Sequence, residues 1–222
     1  MKKFLLALVL LCSAVFAQVD DWDNYQWPRS YFASAGFSVI ATRGDFFRGN
    51  LTLKNEETIN MPTSKILVSP DYMLGVNIRE FTLTAAFQYW SMNGSVDENP
   101  EDMREQHMRY WRFGIEFTYN FFYPDFFQAG LGLGYSFSSI KTKNSAFDEK
   151  GKYSDAELMG SGVALVGTMK YMITEHFGLR PILRINETWY KAVNTKAGGT
   201  QDLSDYIWET YITISVNALV QF

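Results

Sequence analysis

Residues 206–222 read YIWETYITISVNALVQF, and their alternation decides the fold. Counting back in steps of two, Phe222, Val220, Ala218, Val216, Ile214 and Ile212 form one wholly apolar set. The intervening set, Gln221, Leu219, Asn217, Ser215, Thr213, Tyr211 and Glu209, is almost wholly polar. Strict period-two alternation marks a strand with two unlike faces. Its length exceeds that of an ordinary small-domain strand and reaches the roughly 9–11 tilted residues of a membrane-spanning one. Lipid offers no partner to backbone groups along a strand edge, so a lipid-facing sheet must close on itself. Residues 206–222 are therefore expected to pair with the first strand of the chain and seal a barrel.

The amino terminus sets the compartment. Lys2 and Lys3 precede an apolar run from Phe4 to Leu11, and Val15-Phe16-Ala17 offers a cleavage site ahead of Gln18. Residues 1–17 read as a secretory signal peptide, with an apolar run too short for a spanning helix. Leu11 before Cys12 is not the small residue that a lipid-anchored cysteine would need. Cys12 is the sole cysteine, so a mature chain has none, and disulfides and cysteine-based metal or nucleophilic sites are excluded. Removing Lys2 and Lys3 with the leader leaves 18 basic residues against 24 acidic, a net charge of −6. That balance argues against nucleic acid as a partner. Residues 18–29, QVDDWDNYQWPR, form a polar lead-in, and residues 30–222 form one domain.

The same alternation recurs along the chain. Expected strands cover residues 30–42, 65–77, 81–92, 107–122, 126–140, 158–173, 177–191 and 206–222. Pro70 lacks a ladder donor, so a bulge or local break is expected there. Short links at 78–80, 123–125 and 174–176 alternate with long polar ones at 43–64, 93–106, 141–157 and 192–205. Eight strands with short turns at one end and long loops at the other are the pattern of bacterial outer-membrane barrels. The fold class is thus an all-β, eight-stranded, antiparallel up-and-down transmembrane barrel. Gly130, Gly132 and Gly134 continue the alternation, with no helix following, so they are an inward glycine row and not a phosphate loop.

With signal peptide, strands, turns and terminal Phe222 in place, the chain resembles the small OmpA/OmpX-type barrels. Phe222, with Val220, Ala218, Val216 and Ile214 alternating behind it, is similar to the carboxy-terminal assembly signal of that class. The resemblance implies a bacterial outer-membrane location, barrel-assembly machinery and outer-membrane lipid as partners, and a monomer.

Which face meets lipid follows from side-chain size and charge. The polar face is mostly Gly, Ser, Thr and Asn, which suits a lumen with room only for filling residues or one small ligand. A soluble barrel would carry many charges on that face. The apolar face ends in aromatic belts, as membrane interfaces favour. Trp90, Trp111, Trp189 and Trp208 lie toward the long loops, and Tyr123, Tyr171, Phe177 and Phe222 toward the short turns. Trp90 has the inward parity and is expected at the rim. The inward charges are Asp71, Glu116 and Glu209 with Arg112, Lys170, Arg180 and Arg184. Asp71, Glu116 and Arg184 are expected near mid-height and paired, because isolated buried charges are costly.

Function is less legible. The expected role is structural, or surface interaction through the four long loops with a partner that the residues do not name. The alternative is a narrow ion or small-solute pore gated by the arginine–carboxylate network. A lipid-modifying enzyme is a third reading. It is disfavoured because His107 and His176 are the only histidines and neither has a serine at a spacing that puts a nucleophile within reach of a base. No catalytic residue, metal site or cofactor is expected. The acidic loop residues Asp97, Glu98, Glu101 and Asp102 read as solvated.

Overall fold

The last strand does close the barrel. In the computed structural model the described residues are 29–44, 50–52, 54, 58–60, 66–94, 106–122, 126–143, 156–195 and 199–222. The proposed leader and nearly all of the lead-in, the turn at 123–125 with Tyr123, and much of each long loop lie outside them. The elements are β1 (Arg29–Gly44), β2 (Asn50–Thr52), β3 (Thr58–Asn60), β4 (Ile66–Ile78), β5 (Phe81–Gly94), β6 (Gln106–Phe122), β7 (Phe127–Lys143), β8 (Ala156–Met172), β9 (Phe177–Thr195) and β10 (Gly199–Gln221). Strands β1 and β4–β10 form one closed antiparallel ring in which β1 lies between β10 and β4. The seam runs from Phe32 opposite Gln221 to Gly44 opposite Glu209. Tyr31 and Phe222 exchange both backbone hydrogen bonds at 2.9 Å, so the ladder reaches the last residue.

Register fixes the shape. Cross-strand partners followed from Arg43 run through Thr210, Glu187, Val163, Tyr135, Ile115, Ala85 and Leu74, and return to β1 at Ala33. The circuit therefore slips ten residues along β1, from position 43 to position 33. Strand number, slip and strand spacing together set a tilt of about 40°. At that tilt the outward apolar run from Ile212 to Phe222 spans about 25 Å, the height of a barrel's lipid-facing band.

The faces are inverted relative to a soluble protein. Phe37 is 69% exposed on the outer wall, whereas Arg184 is 0% exposed inside. Ile212, Ile214, Val216 and Val220 face out, and Asn217, Ser215, Thr213, Tyr211 and Glu209 are buried in the lumen. Only a nonaqueous surround makes that distribution favourable, because apolar surface is driven from water and polar groups need partners.

Three local features differ from expectation or sharpen it. First, the link placed at 192–205 is mostly strand: β9 runs to Thr195, and β10 begins at Gly199, whose φ of 69° suits the left-handed region. Both strands rise past the lipid, where neither face need be apolar, so the alternation that marks a strand fades while the backbone pairing continues. A register shift between Asp202 and Ile207 accommodates the extra residues and turns both Leu203 and Ile207 inward. Second, the long link at 43–64 contains the small hairpin β2–β3. Third, Pro70 breaks one ladder only. Pairing with β1 continues through Pro70 opposite Phe37, whereas pairing with β5 starts at Asp71. The Ser69 hydroxyl lies 3.1 Å from the Tyr89 carbonyl, supplying a donor where proline has none.

Of the short turns, Arg79-Glu80 is a tight hairpin between the paired Ile78 and Phe81, with Arg79 at a φ of 52°. At the next described turn the Thr174 hydroxyl accepts hydrogen bonds from the amides of Phe177 (3.0 Å) and His176 (3.3 Å).

Candidate functional site: the lumen

The inward side chains stack in layers along the barrel axis. Their heights follow from position on each strand, because every second residue of a tilted strand points inward. Near mid-height, Arg184 on β9 is clamped by two carboxylates. Its Nε donates to Glu116 Oε1 at 2.6 Å and its Nη1 to Asp71 Oδ2 at 2.8 Å. Nη1 also reaches Ser215 Oγ at 3.2 Å, and Nη2 reaches Met73 Sδ at 3.1 Å. Arg112 joins through Glu116 at 3.5 Å. Ordinary strand geometry makes this possible: β4, β6 and β9 face one another across a narrow interior, with Asp71 from β4, Arg112 and Glu116 from β6, and Arg184 from β9.

Two apolar or aromatic layers bracket the charges. One is the cluster of Phe32, Met73, Ala86, Ala164, Val166, Ile182 and Leu219, which extends toward the short turns through Phe32 and Leu219. Ile182 is the inward residue between Arg184 and Arg180, and it separates those two guanidinium groups along β9. On the long-loop side Trp90 stacks on its cross-strand partner Tyr110, with ring centroids 3.5 Å apart. The Tyr110 ring also meets Tyr211 at 5.7 Å. The Tyr190 hydroxyl lies 3.0 Å from that of Tyr211 and 3.2 Å from Ser138 Oγ. Beyond these rings, Ile140, Leu158, Val193, Leu203 and Ile207 are buried.

All seven inward charges are buried, but they do not form one network. Asp71, Glu116, Arg112 and Arg184 come together. Glu209 sits higher, at the level of the tyrosines, opposite Gly44 and Thr188. Arg180 lies lower, stacked 4.3 Å over the Phe32 ring, with its Nε donating to Thr168 Oγ1 at 3.2 Å. Lys170 lies at the short-turn mouth and donates to Gln221 Oε1 at 2.9 Å.

Trp90 is the clear correction. It is buried in the lumen, not at the rim, because the Tyr110 ring, itself backed by Tyr211, gives its flat face a partner there. Phe32, Met73, Val166 and Ile182 were likewise missed as lumen residues. Their inward parity was the available signal, obscured by the expectation that a lumen is polar.

Comparison with known proteins comes out one-sided. No family model and no curated protein sequence matches the chain. Solved structures do. The outer membrane protein OprG from Pseudomonas aeruginosa aligns with a TM-score of 0.59 at 11% identity, over 89% of this chain and 97% of that one. Neisserial surface protein A aligns at 0.52 and 12% identity, over 86% and 97%. The outer membrane protein AlkL, determined in lipid bilayers, aligns at 0.52 and 13% identity, over 92% and 95%.

This chain has the fold of the small outer-membrane β-barrels.

Identities this low establish the fold alone. What distinguishes this barrel is its own lumen filling and rim. On the outer wall, Arg43, Arg109, Lys141 and Lys191 are exposed toward the long-loop end. Arg109 and Lys141 are direct cross-strand partners, two like charges side by side. Beside them a groove of about 260 Å³ is lined by Tyr135, Met159, Ser161 and Trp189. Ser161 is the small residue between its partners Phe137 and Trp189, which leaves a notch between two aromatic walls.

Proposed function

We propose that the chain is a bacterial outer-membrane barrel with a structural or surface-interaction role, exercised through its long loops, and that its lumen does not conduct. The observation supporting this reading is the stacked filling: the Arg184 ion cluster and the Trp90–Tyr110 pair, with apolar side chains above and below, occupy successive levels of the lumen. An ion crossing it would have to displace several buried side chains at once. The outer wall supports the membrane setting and orientation. A lipid-height apolar band carries exposed cations near the long-loop end, where phosphate-bearing outer-leaflet lipids would meet them. The chain would act as a monomer, with outer-membrane lipid around it and barrel-assembly machinery acting on the Phe222 strand.

Conductance tests the reading. The refolded mature chain in a planar bilayer should insert and remain silent across applied voltage. Discrete, reproducible openings would overturn it in favour of a gated pore. The specific observation favouring that second reading is that Asp71 Oδ1, Arg112 Nε and Arg112 Nη1 are buried without hydrogen-bond partners among the described residues. Spare donors and acceptors of that kind would let Arg112 and Arg184 exchange carboxylates. In a gated pore, Glu116→Ala should change the conductance.

A further inference from the structure

At the short-turn mouth two buried cations converge with no carboxylate in ion-pair contact with either among the described residues. Lys170 is 7% exposed and Arg180 is 4% exposed. Neither makes an ion pair among the described residues. Lys170 is held by the neutral Gln221 amide, and Arg180 by Thr168, a long contact to Thr84 at 3.4 Å, and the Phe32 ring. The lumen as a whole repeats the imbalance. Among the described residues its buried ionic side chains number four cations (Arg112, Lys170, Arg180, Arg184) against three carboxylates (Asp71, Glu116, Glu209). Two of those carboxylates, Asp71 and Glu116, are committed to Arg184. Glu209 stands at the opposite end of the barrel, among the tyrosines.

Between Lys170 and Arg180 lies a small cavity whose remaining lining is neutral and polar, with Asn77, Asn120, Gln128 and Thr168 on its walls. It leaves about 10 Å³ for the centre of a water-sized particle, which is room for one such particle and no polyatomic solute. Taking charge out of water is costly unless an opposite charge compensates. A cavity of this size, walled by two cations and amide groups, suits one monatomic anion in the sign of its charge and in its dimension.

We propose that the cavity between Lys170 and Arg180 binds a single halide ion, chloride in the cell, which offsets one of the two positive charges at the short-turn mouth and stabilises the closed barrel. A ligand bound only by the folded state raises stability with the logarithm of its concentration once its site is filled. The test uses the mature chain refolded in neutral detergent, with the urea midpoint measured in chloride, bromide or gluconate at constant ionic strength. The midpoint of the unmodified chain should rise with halide and stay flat with gluconate. Lys170→Met should fold and lose the halide dependence. A flat halide response in the unmodified chain would mean that water fills the cavity and would overturn the proposal, as would an unchanged halide response in Lys170→Met. If that variant does not fold, bromide-soaked crystals of the unmodified chain decide. An anomalous peak between Lys170 and Arg180 supports the site, and its absence overturns it.

Discussion

Arg184 carries more of the interior than any other residue. Its guanidinium spends three nitrogens on Glu116, Asp71, Ser215 and Met73 while wholly buried. Removing one partner of such a cluster leaves a charge that the lumen cannot solvate. Glu116→Ala is therefore expected to destabilise the barrel by about 3–5 kcal/mol, measured as a lowered urea midpoint in detergent micelles. Combining it with Arg112→Met should recover part of the loss, since Arg112 then no longer lacks its carboxylate. Additive losses would show that Arg112 and Glu116 are not coupled. Glycine matters at this scale where strands approach closely. A Cβ at Gly132 would run into the carbonyl of Phe117 and come within 2.7 Å of the Thr118 methyl. Gly132→Leu should cost on the order of 1–3 kcal/mol through overpacking, read in the same unfolding assay, whereas Leu131→Ile on the adjacent outward position should be nearly neutral.

Among the elements, the β2–β3 hairpin is tied to β10 through Lys54, which lies in the link between β2 and β3. The Lys54 amide donates to the Asp202 carbonyl at 3.3 Å, and the Lys54 ammonium reaches Asp202 Oδ2 at 2.8 Å. That hydrogen bond and charge hold the Asp202 carboxyl below the usual carboxylate range. A carboxylate with a depressed folded-state pKa contributes fully above its unfolded value, near 3.9, and loses its contribution as pH falls through the lower folded value. Acidification below about pH 4 should thus weaken this exposed contact while the barrel stays folded. Amide exchange at Lys54 would report it, and exchange insensitive to pH-driven loss of the contact, after correction for intrinsic rates, would refute it. The period-two pattern located every barrel strand, since each must present apolar side chains to lipid and small or polar ones to the lumen. It misplaced the ends of β9 and β10 because that constraint lapses above the membrane, where Lys191, Asn194 and Thr200 are exposed to water.

For the whole molecule, closure is the decisive property. Ala35 and Ala218 are direct partners across the β1–β10 seam, and both point outward. Partner positions in antiparallel strands have Cα atoms roughly 4.5–5.5 Å apart, within disulfide range. Ala35→Cys with Ala218→Cys, in a chain of residues 18–222, which holds no other cysteine, should crosslink under oxidation and shift the gel mobility of the denatured chain. No crosslink in a folded sample would contradict the seam. The same closure, slipped by ten residues, sets the tilt and brings β4, β6 and β9 around one narrow axis.

By itself the sequence determined the strand count, the face that meets lipid and the set of inward charges, because lipid on one side and a narrow lumen on the other act on every second residue locally. Only the tertiary structure decided which of those charges meet. Asp71, Glu116 and Arg184 come from three strands far apart in the chain, and their contact depends on register and slip, which alternation does not encode. The same is true of Trp90, whose place inside rests on the Tyr110 ring being opposite it, and of Lys170 and Arg180, left together at one mouth without an ion-paired carboxylate among the described residues.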